Sequence, residues 1–259
     1  MQTQRKQSEW AWQWDRIYDD NTWLFTEWIK PNTFETFRDK TVLDCGCGGG
    51  QHVNFVAPYA KRVVGVDLNA LGAAGKNTAD KPNVELKEAD IAKMDLGEQF
   101  DVVYSIGVLH HTDNPDASFA NIAKHCKPGG RVIVWVYSNE GNFLNKWLLE
   151  PVKSVIINHL PRSIVWALGH ILTALVYVPV YTVYLLPLTF LPYYQYFQNW
   201  RRLSYQRNFL NVFDKLNAPQ TWFITEEQVH RWFSADKFSG VHISPYRGVS
   251  WRASGTRLA

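Results

Sequence analysis

The segment VLDCGCGGG, residues 42 to 50, limits what this chain can fold into more than any other stretch. A β-branched run enters it, glycines follow at 46, 48 and 50, and a helical pattern leaves it from Gln51. Without a Cβ, glycine allows a tight strand-to-helix turn and lets a ligand approach the main chain closely. The next β-branched run, RVVGVD at 62 to 67, ends in an acid, Asp67. A strand, a glycine turn, a helix and a second strand closed by a carboxylate form the arrangement that cradles a nucleotide, with the acid placed for ribose hydroxyls.

The alternation continues. NVELKEAD (83 to 90), FDVVYSI (100 to 106) and RVIVWVY (131 to 137) read as further strands, with helices expected near Gln51 to Tyr59, Ala70 to Thr78 and Asp116 to Cys126. Five strands with short connections predict a doubly wound, Rossmann-like α/β sheet, because right-handed crossovers put helices on both faces. At the other end, TEEQVHRWFSADKF (225 to 238) predicts a helix with Thr225 as cap and Gln228 completing a capping box, and residues 241 to 257 predict a hairpin centred on Gly248. Ahead of the sheet, Trp10, Trp14, Ile17 and Tyr18 fall at helical spacing, and Trp23, Phe25 and Trp28 follow. One or two amphipathic helices are expected there, packed on the sheet's helices or closing as a lid.

The glycine turn narrows the ligand. A dinucleotide fingerprint keeps its third glycine three residues after the second, so that a pyrophosphate sits on the helix N-terminus. Here Asp44 precedes the first glycine, a carboxylate that would repel a pyrophosphate and hold an ammonium group. An amino-acid-bearing cofactor is the better reading, with a nicotinamide-dependent oxidoreductase as the other enzyme reading and a non-catalytic partner module of the same fold as the reading from another class. VLDCGCGGGQH resembles motif I of the class I S-adenosylmethionine-dependent methyltransferases, of the type 11 kind, and VVGVDLN, EADIAKM, FDVVYSIGVLHHTDNP and CKPGGRVIVWVY are similar to the family's later motifs in the same order. The resemblance covers roughly residues 40 to 137. It implies a seven-stranded sheet whose last strand is antiparallel, S-adenosylmethionine as cofactor, and methyl transfer.

Carried over position by position, the resemblance implies that Asp44, Gly46, Cys47 and Gly48 lie against the methionine part, Asp67 against the ribose and Leu68 against the adenine. Asp90 and Ile91 would flank the adenine amino group, and Ser105 and Gly107 would line the methionine side. No metal is expected: Cys45 and Cys47 have neither a second cysteine pair nor a histidine pattern beside them.

Methyl transfer asks the protein mainly to align donor and acceptor, and a base is needed only where the acceptor loses a proton. His111 and His110, just after the fourth strand, are the candidates for that base, with Tyr18 and Tyr137 behind them. Loop-fixing hydrogen bonds are the plainer role for both histidines.

After Tyr137 the pattern breaks. From Ser163 to Trp200 there is no Asp, Glu, Lys or Arg, a membrane-span length of uncharged chain interrupted by Pro179, Pro187 and Pro192 and flanked by Arg162, Arg201 and Arg202. A single span would strand the last helix and hairpin across the bilayer from their sheet, so an apolar, largely helical insertion that leaves and returns on one side is expected. The expected organisation is therefore a helical lid (1 to 38), a cofactor-binding core (39 to 138), a hydrophobic cap or insertion (139 to 222) and a helix with hairpin that completes the sheet (223 to 259). The insertion would shape a pocket for a small-molecule acceptor, either amphipathic or lipid-linked at a membrane surface, or soluble, such as a sugar or natural product, with the apolar face as cap or homo-oligomer interface. A net charge of +3 is too balanced for a phosphate-tracking surface, so no nucleic-acid partner is expected. Three cysteines and a polar start fit the cytoplasm, at most peripheral on the membrane.

Overall fold

A computed structural model describes residues 4–259, with side chains from Glu9 onward; the first three residues of the expected lid lie outside it. Two helices, α1 (Gln4–Trp14) and α2 (Thr22–Ile29), precede the sheet. Asn21 starts α2 by accepting a hydrogen bond from the Leu24 N–H at 3.1 Å, which satisfies a donor that the first helical turn leaves free.

Five parallel strands follow, β1 (Thr41–Cys45), β2 (Arg62–Asp67), β3 (Val84–Glu88), β4 (Phe100–Ile106) and β5 (Cys126–Tyr137). The last two, β6 (Phe238–Tyr246) and β7 (Ser250–Arg257), complete a seven-stranded sheet in the order 3-2-1-4-5-7-6, with β7 antiparallel to both neighbours. This is the doubly wound class that the sequence predicts, reversed strand included. Alternate residues serve opposite faces. Val42, Val63, Val102 and Ile133 pack under α2 and the crossover helices α3 (Gln51–Val56) and α4 (Leu71–Asn77). Leu43, Val64, Val103 and Val132 pack on the other face, with Phe119 and Ile122 of α5 (Pro115–Lys124). Burying each such side chain contributes about 1.5–3 kcal/mol.

Several boundaries differ from expectation. β5 starts at Cys126, well before Arg131, because the CKPGG stretch already pairs with β4 across an irregularity between Phe100 and Val102. The carboxy-terminal helix is short, Glu226–Trp232, since Phe233 and Phe238 turn into the core against Phe119. Thr225 caps it through the Gln228 N–H at 3.1 Å, but the Gln228 side chain donates to Asp116 at 2.8 Å instead of returning to the cap, so only half of the expected capping box forms.

Between β5 and that helix the insertion folds as helices with corners. After a wide turn at Asn145–Leu149 come α6 (Glu150–Val155), α7 (Arg162–Val180), α8 (Tyr194–Trp200) and α9 (Tyr205–Asn217), and Glu226–Trp232 is α10. Pro179 sits in the last turn of α7, and Pro187 and Pro192 lie in the bend before α8, where a missing N–H costs nothing. The chain then returns to pair β7 with β5. Helix α9 is two-faced: Phe209, Phe213 and Leu216 pack against Val165 and Trp166 of α7, while Arg207, Asn211, Asp214 and Lys215 share the other face. The outer surface of the insertion is apolar. Trp147 is 74% exposed and Val155 72%, with Leu148 beside them, and Ile171, Leu175 and Val178 lie open on α7. Among the described residues α7 alone is long and apolar enough to cross a membrane, and 22% of that stretch is buried.

Candidate active site

In a doubly wound sheet the ligand crevice opens at the carboxyl ends of the strands, where connections leave in opposite directions. Here that point lies between β1 and β4, and a cavity of about 430 Å³ opens over it.

The glycine turn forms one half of its wall. Gly46 has φ +92°, and a Cβ built on it would lie 2.4 Å from Val108 Cγ2. Gly48, at φ +53°, has Trp14 of α1 pressed against it, 2.9 Å from where a Cβ would sit. The Asp67 carboxylate ties this turn to the next one. One oxygen accepts from the Gly48 N–H at 2.9 Å, and the other accepts from Asn69 and Ala70 N–H at 3.1 and 3.0 Å. Gly46, Gly48, Asp67, Leu68, Asp90, Ile91 and Gly107 all line the cavity. Asp90 also accepts from the Ala92 N–H at 2.9 Å, so it fixes its own loop as well.

Three residues expected at the cofactor stand behind that wall. Ser105 is fully buried and spends its hydroxyl on the Cys45 carbonyl at 2.8 Å. Cys47 is buried under the turn, against Gly65. Asp44 is buried too, with Oδ2 accepting from Tyr104 OH at 3.0 Å and Oδ1 without a partner. Burial, with the nearby charge of Asp67, pushes its carboxyl up to about 8 against the hydrogen bond from Tyr104.

The other half of the cavity belongs to the lid and the insertion. His111 lines it, with Nδ1 2.9 Å from the Gln220 carbonyl and Nε2 3.8 Å from Asp214 Oδ2. A carbonyl only accepts, so Nδ1 carries the proton and the neutral ring keeps its lone pair on Nε2. Asp214 is further bonded by Gln13 at 3.1 Å and Tyr137 OH at 3.2 Å. Burial alone would raise its carboxyl, but the His111 ring, Gln13 and Lys215 hold it well below the usual carboxylate range. Arg207 closes the far side, paired with Asp19 at 3.0 Å and lying over Trp28. His52 lines the cavity as well and stays neutral, its ring driven down to about 3 by burial and the Arg207 charge.

Two catalytic candidates fall away. His110 follows its neighbour in sequence but turns into the core against Tyr137 and Trp135, fully buried, with burial and His111 holding its ring neutral. Tyr18 lies outside the cavity, 40% exposed, where its hydroxyl accepts from Asn54 at 3.0 Å. Asp214, Arg207 and Lys215 went unrecognised in the sequence. Their one signal is the spacing 207, 211, 214, 215 opposite Phe209 and Phe213.

Comparison with known proteins adds three findings. The model of a family described as a methyltransferase domain matches residues 43–134. Curated relatives include tRNA U34 carboxymethyltransferases of Pseudoalteromonas atlantica, 28% identical over 52% of this chain and 40% of the relative, and of Shewanella oneidensis, 30% identical over 49% and 37%. The chain thus spans well under half the length of these relatives. Among solved structures the CurJ carbon methyltransferase superposes with a TM-score of 0.51 at 12% identity, over 86% of this chain and 50% of that one, which is a likeness of fold. The relatives overturn one expectation: proteins that share half of this chain are named for tRNA, so a balanced net charge does not exclude nucleic acid as a partner. Methyl donors need not be steered by a basic surface, and charge balance speaks only to long-range attraction. With the sheet order, the glycine turn, the acid closing β2 and the match over 43–134 in hand, the chain belongs to the class I S-adenosylmethionine-dependent methyltransferases.

Proposed function

We propose that this protein methylates a small-molecule acceptor that must give up a proton, with His111 as the base. The observation that carries the reading is the His111 Nε2 lone pair, held by the Gln220 carbonyl and backed by Asp214, in the same cavity as the glycine turn. S-adenosylmethionine, when bound, supplies a methyl group activated by its sulfonium. The residues present suit it: Gly46 and Gly48 give room, Asp67 and Leu68 face the ribose and adenine, Asp90 and Ile91 the adenine edge, and the unpartnered Asp44 Oδ1 is the acceptor that an ammonium group lacks elsewhere in the turn. His111 takes the acceptor's proton on Nε2, and Asp214 stabilises the resulting imidazolium. Trp14 and Trp10, on α1, keep water from the turn and from the His111 ring.

The acceptor we favour is amphipathic and met at a membrane surface on the cytoplasmic side. Asn142 and Asn145 reach the cavity from the same segment that exposes Trp147 and Leu148, so a polar interior and an apolar exterior share one wall. The relatives' names support a second reading, an RNA acceptor. Isotopically labelled S-adenosylmethionine, incubated with the protein and separately with a lipid extract, a soluble extract and total tRNA, followed by mass spectrometry, tests all of these. Label in no fraction overturns the methyltransferase reading, and label in tRNA alone replaces the small-molecule one. Flotation with anionic liposomes tests the membrane reading, which fails if the protein stays at the bottom of the gradient.

A further inference from the structure

The acceptor half of the cavity holds polar atoms that the protein leaves unmatched. Trp135 Nε1, Trp200 Nε1 and Arg207 Nε are buried donors without a partner, and Asn199 Oδ1 is a buried acceptor without one. All four residues line the cavity. Buried polar groups are bonded in nearly every folded protein, and each orphan costs about 1–3 kcal/mol. Four in one chamber are a recognition pattern that a ligand completes.

They also belong to a continuous wall. Arg207 lies over Trp28, Trp28 stacks on Trp135 at 4.6 Å, and Trp135 meets Tyr137 edge-on at 5.5 Å. Lys215 then lies over both Tyr137 and Tyr196, Tyr196 meets Trp200 at 6.3 Å, and the Trp200 carbonyl accepts from Asn208, the neighbour of Arg207. The anchors are fixed from behind: Asn199 Nδ2 donates to Tyr246 OH at 3.0 Å, and Arg207 is held by Asp19.

Three N–H groups ask for oxygen acceptors, and Asn199 Oδ1 asks for a donor. A carboxylate or phosphate would serve the first three and leave the fourth worse off, because it has no proton to give. An amine would serve the fourth and leave the first three. Hydroxyl groups do both, and several on one compact ring match donors spread around an aromatic wall. Arg207 is already neutralised by Asp19 and Lys215 sits beside Asp214, which leaves little net charge to select an ion.

We infer that the acceptor half of the cavity is a subsite for a neutral, polyhydroxylated ring of the pyranose class, whose hydroxyls meet Trp135, Trp200, Arg207 and Asn199. The inference rests on the methyltransferase reading of the site and names its substrate class. Joined to the apolar exterior, it makes a glycoside with an apolar aglycone the fitting acceptor.

The test uses the full chain saturated with S-adenosylhomocysteine. Octyl glucoside, octyl galactoside and octyl mannoside, each below its micellar concentration, are titrated by calorimetry beside tetraethylene glycol monooctyl ether and uridine monophosphate. The expected result is that at least one glycoside binds tenfold or more tightly than the polyether, which has the same tail and no hydroxylated ring. Trp200→Phe and Trp135→Phe, which remove one N–H each and keep the ring, are expected to weaken that glycoside five- to fiftyfold and leave the polyether unchanged. Equal binding of glycosides and polyether overturns the inference, as does uridine monophosphate binding more tightly than every glycoside, or glycoside binding indifferent to both substitutions. S-adenosylhomocysteine binding is read separately: its loss in the wild-type chain would count against the methyltransferase reading, while its retention with no glycoside preference counts against the subsite alone.

Discussion

Gln13 on α1 donates a 3.1 Å hydrogen bond to Asp214 on α9, and the same Gln13 amide accepts from Asn217 at 3.1 Å. A single buried side chain thus joins the helix that covers the glycine turn to the helix that carries the carboxylate behind His111. Gln13→Leu keeps the volume and leaves Asp214 Oδ1 and Asn217 Nδ2 without this partner. It is expected to cost about 1–3 kcal/mol in chemical denaturation and to speed amide exchange in α1 selectively. Uniform exchange across the chain would mean that the two helices are not coupled in this way.

Asp214→Asn keeps the shape and removes the charge that stabilises protonated His111. If His111 is the base, kcat falls by about 10²-fold or more, while the Kd for S-adenosylhomocysteine stays within twofold, since Asp214 touches no residue of the glycine turn. A loss of cofactor affinity with unchanged kcat would assign Asp214 to holding the lid.

Gly46→Ala places a Cβ 2.4 Å from Val108 Cγ2 at a φ of +92°. Backbone strain of this kind costs on the order of 1–3 kcal/mol, and the turn is expected to lose cofactor affinity at least tenfold by calorimetry. Adding Val108→Ala removes the clash but not the strain, so it restores only part of the loss. Full restoration would show that the positive φ is not what demands glycine.

Asp44 makes cofactor binding depend on pH. Its folded-state carboxyl sits at about 8, raised by burial and by Asp67, against an ordinary value of 3.8. The ligand-free protein therefore has this stability in full below about pH 4 and loses it as pH rises towards 8, through the cost of an unpaired buried charge. An ammonium group beside Asp44 relieves that cost. Affinity for S-adenosylhomocysteine is expected to rise from pH 6 to pH 8 with proton release, measured by calorimetry in two buffers of different ionisation heat, and Asp44→Asn to abolish both.

Asp101 acts in the opposite sense. Burial would raise it, but hydrogen bonds from Lys127 at 2.7 Å and from the Thr41 N–H and hydroxyl at 2.8 and 2.7 Å bring it down to about 2. Its contribution is present above about pH 4 and lost as pH falls through 2. Asp101→Ala should lower the thermal midpoint by several degrees at pH 7 and by much less at pH 2.5.

The cofactor half of the site could be read from the chain because it is local. Gly46, Asp67 and Asp90 sit at or just beyond the ends of successive strands, and a period of two followed by glycine marks such ends without any tertiary information. Facing direction was harder. His110 and His111 are neighbours in a single tight turn and point to different surroundings, one into the core and one into the cavity. Ser105 and Cys47 stand near the right place but spend themselves on the sheet behind it. The acceptor half was the least legible. A stripe at 207, 211, 214 and 215 opposite Phe209 and Phe213 is what any surface helix shows, and only the fold turns its polar side inward and its apolar side onto α7.

The pairing of β7 with β5, Thr256 opposite Arg131, sets the order in which the protein can be built on the ribosome. The glycine turn and all five parallel strands have emerged by Tyr137, yet one edge of β5 stays bare until Ser250–Arg257 is made. Throughout that interval the nascent chain presents an open strand edge together with the uncharged stretch from Ser163 to Trp200, the two features that most invite association with other chains. Translation speed across the insertion, and whatever shields it as it emerges, therefore governs the yield of folded protein more than the stability of the finished sheet does.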